Sequence, residues 1–320
     1  MRPSRRDIVI ATRRSKLAVA QSEAIGRWLA QLNPRVGLRL VTLESEGDRV
    51  LDHPLAAVGG KGLFTGAIEQ ALLDGTADIA VHSLKDLPSE ATPGLVIAAI
   101  PARMPPHDVL ICREGGSIEG LAVGATVGTC SPRRHAQLRR LRGDLKITPM
   151  RGNVDTRLRK VLEEQRFDAT LLAAAGLLRL GLEEHTSRPI PMEQVLPAAG
   201  QGALAVQCRV DDHLSLRRCM PLNDATTSLC VHAERQIVAD LGADCHSPLA
   251  VLAQPGEDDR LRLRARVLSH DGSTCLEADE TAPAKSIPLV CRSVVKKLLD
   301  RGARRLLDEA EQIATPAPTQ

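Results

Sequence analysis

The chain contains no tyrosine, and its aromatic residues amount to 1% of 320 positions: Trp28, Phe64 and Phe167. A core must therefore be assembled from Leu, Val, Ile and Ala, and the aromatic platforms that stack single-stranded nucleic acid are missing. None of its eight cysteines stands in a C-x-x-C pair, which leaves zinc-ribbon and thioredoxin-type sites without support, and no metal is expected. The apolar run after the basic N-terminus ends at Arg13, too soon for a secretory core, and no later run is long enough to span a bilayer. The expectation is a cytoplasmic protein, in which disulfides are disfavoured. A large charge of either sign is also absent. A net +3 on 25% charged residues gives no general attraction to nucleic acid or membranes, so any basic function has to be local.

What is present is a repeated alternation of short apolar runs with helical periodicity. At 320 residues two or three domains are expected. "DIVIAT" reads as a strand, Leu17, Ile25, Trp28, Leu29 and Leu32 mark a helix that Asn33-Pro34 stops, and "LRLVTLES" is the next strand. The glycine-containing segment "EGDRVLDHPLAAVGGKG" precedes a helix from about Leu63 to Asp74 and the strand "ADIAVHS". This order predicts a parallel sheet covered on both faces. After the Pro-rich connection "IPARMPPHD" the pattern restarts with "DVLICRE", "TVGTC", a helix opening at Ser131-Pro132, "LKITPM", a helix capped by Asn153 and the buried strand "ATLLAAAG". A third composition begins near Asn223. It holds a helix from Thr226 to Leu241, an antiparallel meander of "PLAVLAQ", "RLRLRARVLS" and "STCLEADET" around an Asp271-Gly272 turn, and one C-terminal helix carrying Val294, Val295, Leu298, Leu299, Leu306 and Leu307.

Open α/β sheets bind ligands beyond the carboxyl ends of their strands. There this sequence places Arg13, Arg14 and Ser15; His82, Ser83, Lys85 and Asp86; Ser131, Arg133 and Arg134; and Arg151 with Arg157 a turn later. Any one such arginine is usually a solvated helix start. Four successive basic strand ends are harder to dismiss. Positive charge at a helix N-terminus opposes the macrodipole, so Arg133 and Arg134 call for an anion between them and the free N–H groups. Planar guanidinium groups suit carboxylates or phosphates in paired contacts, and the expected ligand carries several anionic groups. Asp86, among these cations, could accept hydrogen bonds or stabilise a cation formed in a reaction; its plainer reading is a turn aspartate before Pro88. Lys61 sits among Gly59, Gly60 and Gly62 without Walker spacing, which fits a flap offering its ammonium to an anion as well as it fits a surface loop. Cys245, in "GADCHSPLA", is open between buried filler, nucleophile and covalent handle, since His246 beside it is poorly placed to activate it and Asp244 opposes a thiolate.

The stretches "ATRRSKLAVAQ", "EGDRVLDHPLAAVGGKGLF", "DIAVHSLKDLP", "GTCSPRR", "RGNVDTRL", "LAAAGLLRLG", "LPAAGQGALAVQCR" and "ADCHSPLA" together resemble the porphobilinogen deaminase family, in family order from about Ile10 to Ala250. The resemblance implies an α/β fold class: two periplasmic-binding-protein-like α/β lobes plus a small C-terminal α+β domain. The implied division is 1–101 with 201–221, 102–200, and 222–320. It implies a monomeric transferase that condenses four porphobilinogen molecules head to tail with loss of ammonia and then hydrolyses off the linear tetrapyrrole, with no nucleic-acid or membrane partner. Cys245 then matches the cysteine that carries a dipyrromethane cofactor through a thioether, and Asp86 the catalytic aspartate. Ser83, Lys85, Thr129, Ser131, Arg133, Arg134 and Arg157 match holders of cofactor carboxylates. Arg13, Ser15, Gln21, Lys61, Phe64, Arg151 and Arg179 match the substrate side. The chain departs from the family's usual pattern at Ala243-Asp244, where Gly-Gly is common, at Cys130 and Pro132, and at Gly66-Ala67. The rival reading is a non-catalytic two-lobed protein that captures a polycarboxylate, which would have no use for Asp86 or Cys245.

Overall fold

A computed structural model describes residues 7–44, 65–114, 116–244 and 246–314. They form two compact units. One comprises 7–44, 65–104 and 202–228; the other comprises 105–114, 116–201, 229–244 and 246–314.

In the first unit the strands are β1 (Ile8–Arg13), β2 (Leu38–Leu43), β3 (Ile79–Ser83), β4 (Leu95–Ala99) and, after a long excursion of the chain, β9 (Leu204–Arg209). Their order is β2-β1-β3-β9-β4. β1 pairs in parallel with β2 and β3, whereas β9 runs antiparallel to both β3 and β4. The expectation of a purely parallel sheet is corrected by β9. The chain re-enters this unit only at 202, so no helical crossover dictates that strand's direction. Period-two alternation puts Ile8 and Ile10 into one core with Ile25, Leu29 and Val206, and Val9 and Ala11 into another with Ile68 and Leu72. Each such fully buried Ile or Leu contributes about 1.5–3 kcal/mol. The covering helices are α1 (Lys16–Leu32) and α2 (Gly66–Leu73). Asn33 ends α1 by donating both its backbone N–H and its side-chain amide to the Leu29 carbonyl. Trp28 and Leu32, expected on the buried face of α1, are 42% and 49% exposed; Ile25 and Leu29 do the packing.

The second unit holds a four-stranded sheet of β5 (Asp108–Cys112), β6 (Thr126–Gly128), β7 (Lys146–Thr148) and β8 (Ala169–Ala173), in the order β5-β8-β6-β7. β6 is parallel to β7 and β8, and β5 is antiparallel to β8. Leu110 and Cys112 face one core, Val109 and Ile111 the other. Helices α3 (Pro132–Leu141), α4 (Val154–Leu162) and α5 (Ala174–Arg179) follow β6, β7 and β8.

In the same unit, β10 (Leu249–Pro255), β11 (Arg260–Leu268) and β12 (Cys275–Pro283) form the expected antiparallel meander. Its core is shared with α7 (Ala225–Asp240), α8 (Ile287–Asp300) and α9 (Ala303–Ala314); α6 (His213–Cys219) follows β9 in the first unit. Where one C-terminal helix was expected there are two, because Gly302 takes φ +96° and breaks the helical path. The meander adheres to the four-stranded part through polar and apolar contacts. The Arg266 guanidinium donates to Gln137 Oε1 (2.8 Å) and to the Gln194 carbonyl (3.1 Å), while Leu196 packs with Ala250 and Leu252.

Candidate active site

In the first unit the strand ends of β1 and β3 deliver their side chains to one small cavity of about 60 Å³, lined by Arg13, Ser15, Gln21, His82, Ser83 and Asp86 among others. The local sequence explains the arrangement. Ser15 is the N-cap of α1, its Oγ accepting from Ala18 N (3.3 Å), so the helix starts immediately after β1 delivers Arg13. One turn further, buried Gln21 donates through Nε2 to Ser83 Oγ (2.9 Å), which ties α1 to the end of β3. A single 3₁₀ turn, Leu84–Asp86, follows β3 and is anchored by buried Leu84, whose N–H donates to the Ala203 carbonyl (3.0 Å). That anchoring leaves Lys85 and Asp86 exposed.

His82 lies behind this rim, buried, with burial pushing its imidazole pKa down to about 4. The nearby Glu69, Gln207 and Asp86 oppose that shift and Arg13 assists it. At neutral pH His82 is therefore uncharged, and Arg13, not an imidazolium, is the cation that lines the cavity with Asp86.

In the second unit the sequence-expected residues gather at the N-terminus of α3. Ser131 caps the helix, accepting from Arg134 N (3.4 Å), and its own N–H donates to Thr129 Oγ1 (3.1 Å). Arg133 and Arg134 follow at once and are buried. The anion they require is supplied from within the chain. The Asp108 carboxylate takes Arg133 Nη2 at 2.9 Å, and Arg134 Nε and Nη2 at 3.1 and 2.7 Å. Sequence reasoning assigned that anion wholly to a ligand and missed Asp108. Its signal was a carboxylate heading an apolar strand just after Pro105-Pro106, a position where an acid is buried only if paired. Burial lowers the Arg133 pKa from its ordinary value, and the Asp108 charge opposes that shift.

Arg151 follows β7, and Arg157, on α4, donates through Nε back to the Gly152 carbonyl (2.8 Å), so both stand at one turn. Arg179 ends α5 on a separate element, where burial pushes its pKa down to about 10. Lys61, Phe64, the flap segment and Cys245 lie outside the described residues.

The fold is α/β, and in each unit strand ends and helix starts carry guanidinium and hydroxyl groups, the place where open α/β sheets bind ligands. Residues 8–217 match the family described as "Porphobilinogen deaminase, dipyromethane cofactor binding domain", and 228–300 match "Porphobilinogen deaminase, C-terminal domain". The porphobilinogen deaminase of Syntrophotalea carbinolica is 43% identical over 96% of this chain and 97% of its own length. That of Ralstonia nicotianae is 45% identical over 97% and 93%. Among solved structures the chain is similar to an ABC-transporter periplasmic substrate-binding protein from Coxiella burnetii, with 12% identity, a TM-score of 0.42 and coverage of 69% and 94%. The chain belongs to the porphobilinogen deaminase family, as its motifs led one to expect.

Proposed function

We propose that this chain is a hydroxymethylbilane synthase, a transferase that joins porphobilinogen units head to tail, releases ammonia at each addition and frees the linear product by hydrolysis. The observation that carries the reading is the placement of Asp86 on the rim of a cavity that also presents Arg13, Ser15, Gln21 and Ser83. A dipyrromethane has carboxylate arms and pyrrole N–H groups. The donor set fits it: cations and hydroxyls suit the arms, and a carboxylate suits the N–H groups. Attached at Cys245, the dipyrromethane supplies the pyrrole carbon to which the first unit is joined.

The chain's own residues then divide the work. Ser83, Lys85, Thr129, Ser131, Arg133, Arg134 and Arg157 hold the cofactor's acid side arms. Arg13, Ser15, Gln21, Arg151 and Arg179, with Lys61 and Phe64, receive porphobilinogen. Asp86 accepts hydrogen bonds from pyrrole N–H groups and stabilises the positive charge that develops as ammonia departs. Uncharged His82 adds no competing cation beside that carboxylate. We place the three domains at 1–101 with 201–221, 102–200 and 222–320, and the protein in the cytosol as a monomer. The boundary near 222 is supported by the interval between the two family matches.

Intact-protein mass spectrometry of chain from a pyrrole-producing host tests the reading. The expected result is a covalent dipyrrole adduct on Cys245, absent together with ammonia release in Cys245→Ser. A parent chain without the adduct, or a serine variant with undiminished turnover, overturns it.

A further inference from the structure

We propose that Asp108 is the positioning residue of the arginine pair, fixing both guanidinium groups before a ligand arrives; this rests on the reading of Arg133 and Arg134 as carboxylate holders. Asp108 is 0% exposed and opens β5. Its Oδ1 accepts from Arg134 Nη2 at 2.7 Å and from Gln201 Nε2 at 2.9 Å, and its Oδ2 accepts from Arg133 Nη2 at 2.9 Å and Arg134 Nε at 3.1 Å. These donors are drawn to both oxygens of a carboxylate, which offers roughly four lone-pair sites.

The arrangement decides what the arginines can offer. Arg134 spends its Nε and Nη2 edge on Asp108, and Arg133 gives Nη1 to the Leu196 carbonyl at 2.7 Å. Neither is a loose surface hook. Two cations against one anion leave one positive charge in excess, aimed by a rigid frame, so little side-chain freedom is lost when an anionic arm binds. Gln201 also donates to the Pro106 carbonyl at 2.6 Å. The carboxylate thus joins the arginine pair to both ends of the segment 105–201, one of the stretches that make up this unit. An uncharged side chain at 108 would release the pair and leave two buried cations without their anion.

The test uses the full chain with Asp108→Asn, compared with Leu110→Ala, which opens a cavity in the same strand but keeps the carboxylate. Two quantities are read: the fraction of chains carrying the adduct, and the Arg134 Nε–H resonance, assigned through Arg134→Lys. Asp108→Asn is expected to lose the slowly exchanging Arg134 signal and to lower loading roughly tenfold, the lower end of the loss seen when a group that orients a metal-ligating side chain is removed. Leu110→Ala is expected to keep both. A retained Arg134 signal, or equal loading of the two variants, overturns the proposal. If Asp108→Asn yields no folded protein, Gln201→Met decides: a several-fold loss of loading supports the role, and loading equal to the parent overturns it. A parent chain with no adduct defeats the functional reading instead, and the guanidinium signal still decides the role of Asp108.

Discussion

His135 of α3 and His270, just past β11, stack with ring centroids 4.3 Å apart and planes inclined by 25°. Two imidazoles at that distance cannot both be charged cheaply. Burial first, then His270 and Arg139, push the His135 pKa down to about 4 from a usual value of 6.5. The folded value is the lower one, so between these two values the unfolded chain binds more protons, and stability falls as pH falls through that window. The thermal midpoint of the parent should drop between pH 6.5 and 4, with the loss complete below about 4. His135→Gln removes this titration and should lessen the slope, while His82, whose pKa burial also pushes down to about 4, keeps its own share; an unchanged slope shows that the pair does not contribute to acid sensitivity.

The exposed position of Asp86 separates its contribution to chemistry from any contribution to folding. Asp86→Asn keeps the shape of the 3₁₀ turn, whose anchor is buried Leu84. Its effect on stability should stay within about 0.5 kcal/mol. Turnover, measured as ammonia released from porphobilinogen by purified protein, should fall by about 10² to 10⁴. Near-normal turnover would remove the carboxylate from its role.

The strands, the caps and the basic strand ends are legible because each obeys a local rule: a short continuous apolar run for β1 and β5, Ser-Pro at the start of α3, Asn-Pro after α1. Legibility failed where partners are distant along the chain. β9 is antiparallel to strands more than a hundred residues earlier, and nothing in its own composition states a direction. Asp108 meets Arg133, Arg134 and Gln201 across 25, 26 and 93 positions. A sequence shows that two cations beside a helix start need an anion, but not whether the anion is a ligand or a side chain.

Glu234 illustrates the same long-range economy in α7. It is fully buried, and its two oxygens accept from Gly200 N at 2.6 Å and Ala253 N at 2.8 Å. Glu234→Ala would leave two buried backbone donors unsatisfied, each costing about 1–3 kcal/mol. A loss of about 2–6 kcal/mol in chemical denaturation is expected, with Glu234→Gln intermediate because one acceptor remains. Equal stability of the alanine variant would mean that these donors find other partners.

The turn that joins β11 to β12 rests against α3. Gly272 has φ +73°, and a Cβ placed there would lie 2.5 Å from the Ala136 carbonyl oxygen and 2.6 Å from Arg140 N, both backbone atoms of α3. Gly124 has nearly the same backbone, φ +72°, with nothing within 4 Å. Gly124→Ala therefore measures the left-handed conformation alone, about 1–2 kcal/mol. Gly272→Ala adds a collision that backbone must absorb, for a total of about 3 kcal/mol or more. The excess has a direction, because the helix pushed is the one that carries Arg133 and Arg134 at its start. Gly272→Ala should thus reduce adduct loading as well as the thermal midpoint, while Gly124→Ala lowers the midpoint alone. Equal midpoints for the two variants would show that the turn yields without moving α3, and normal loading of a destabilised Gly272→Ala would show that the arginines do not depend on how the turn seats against their helix.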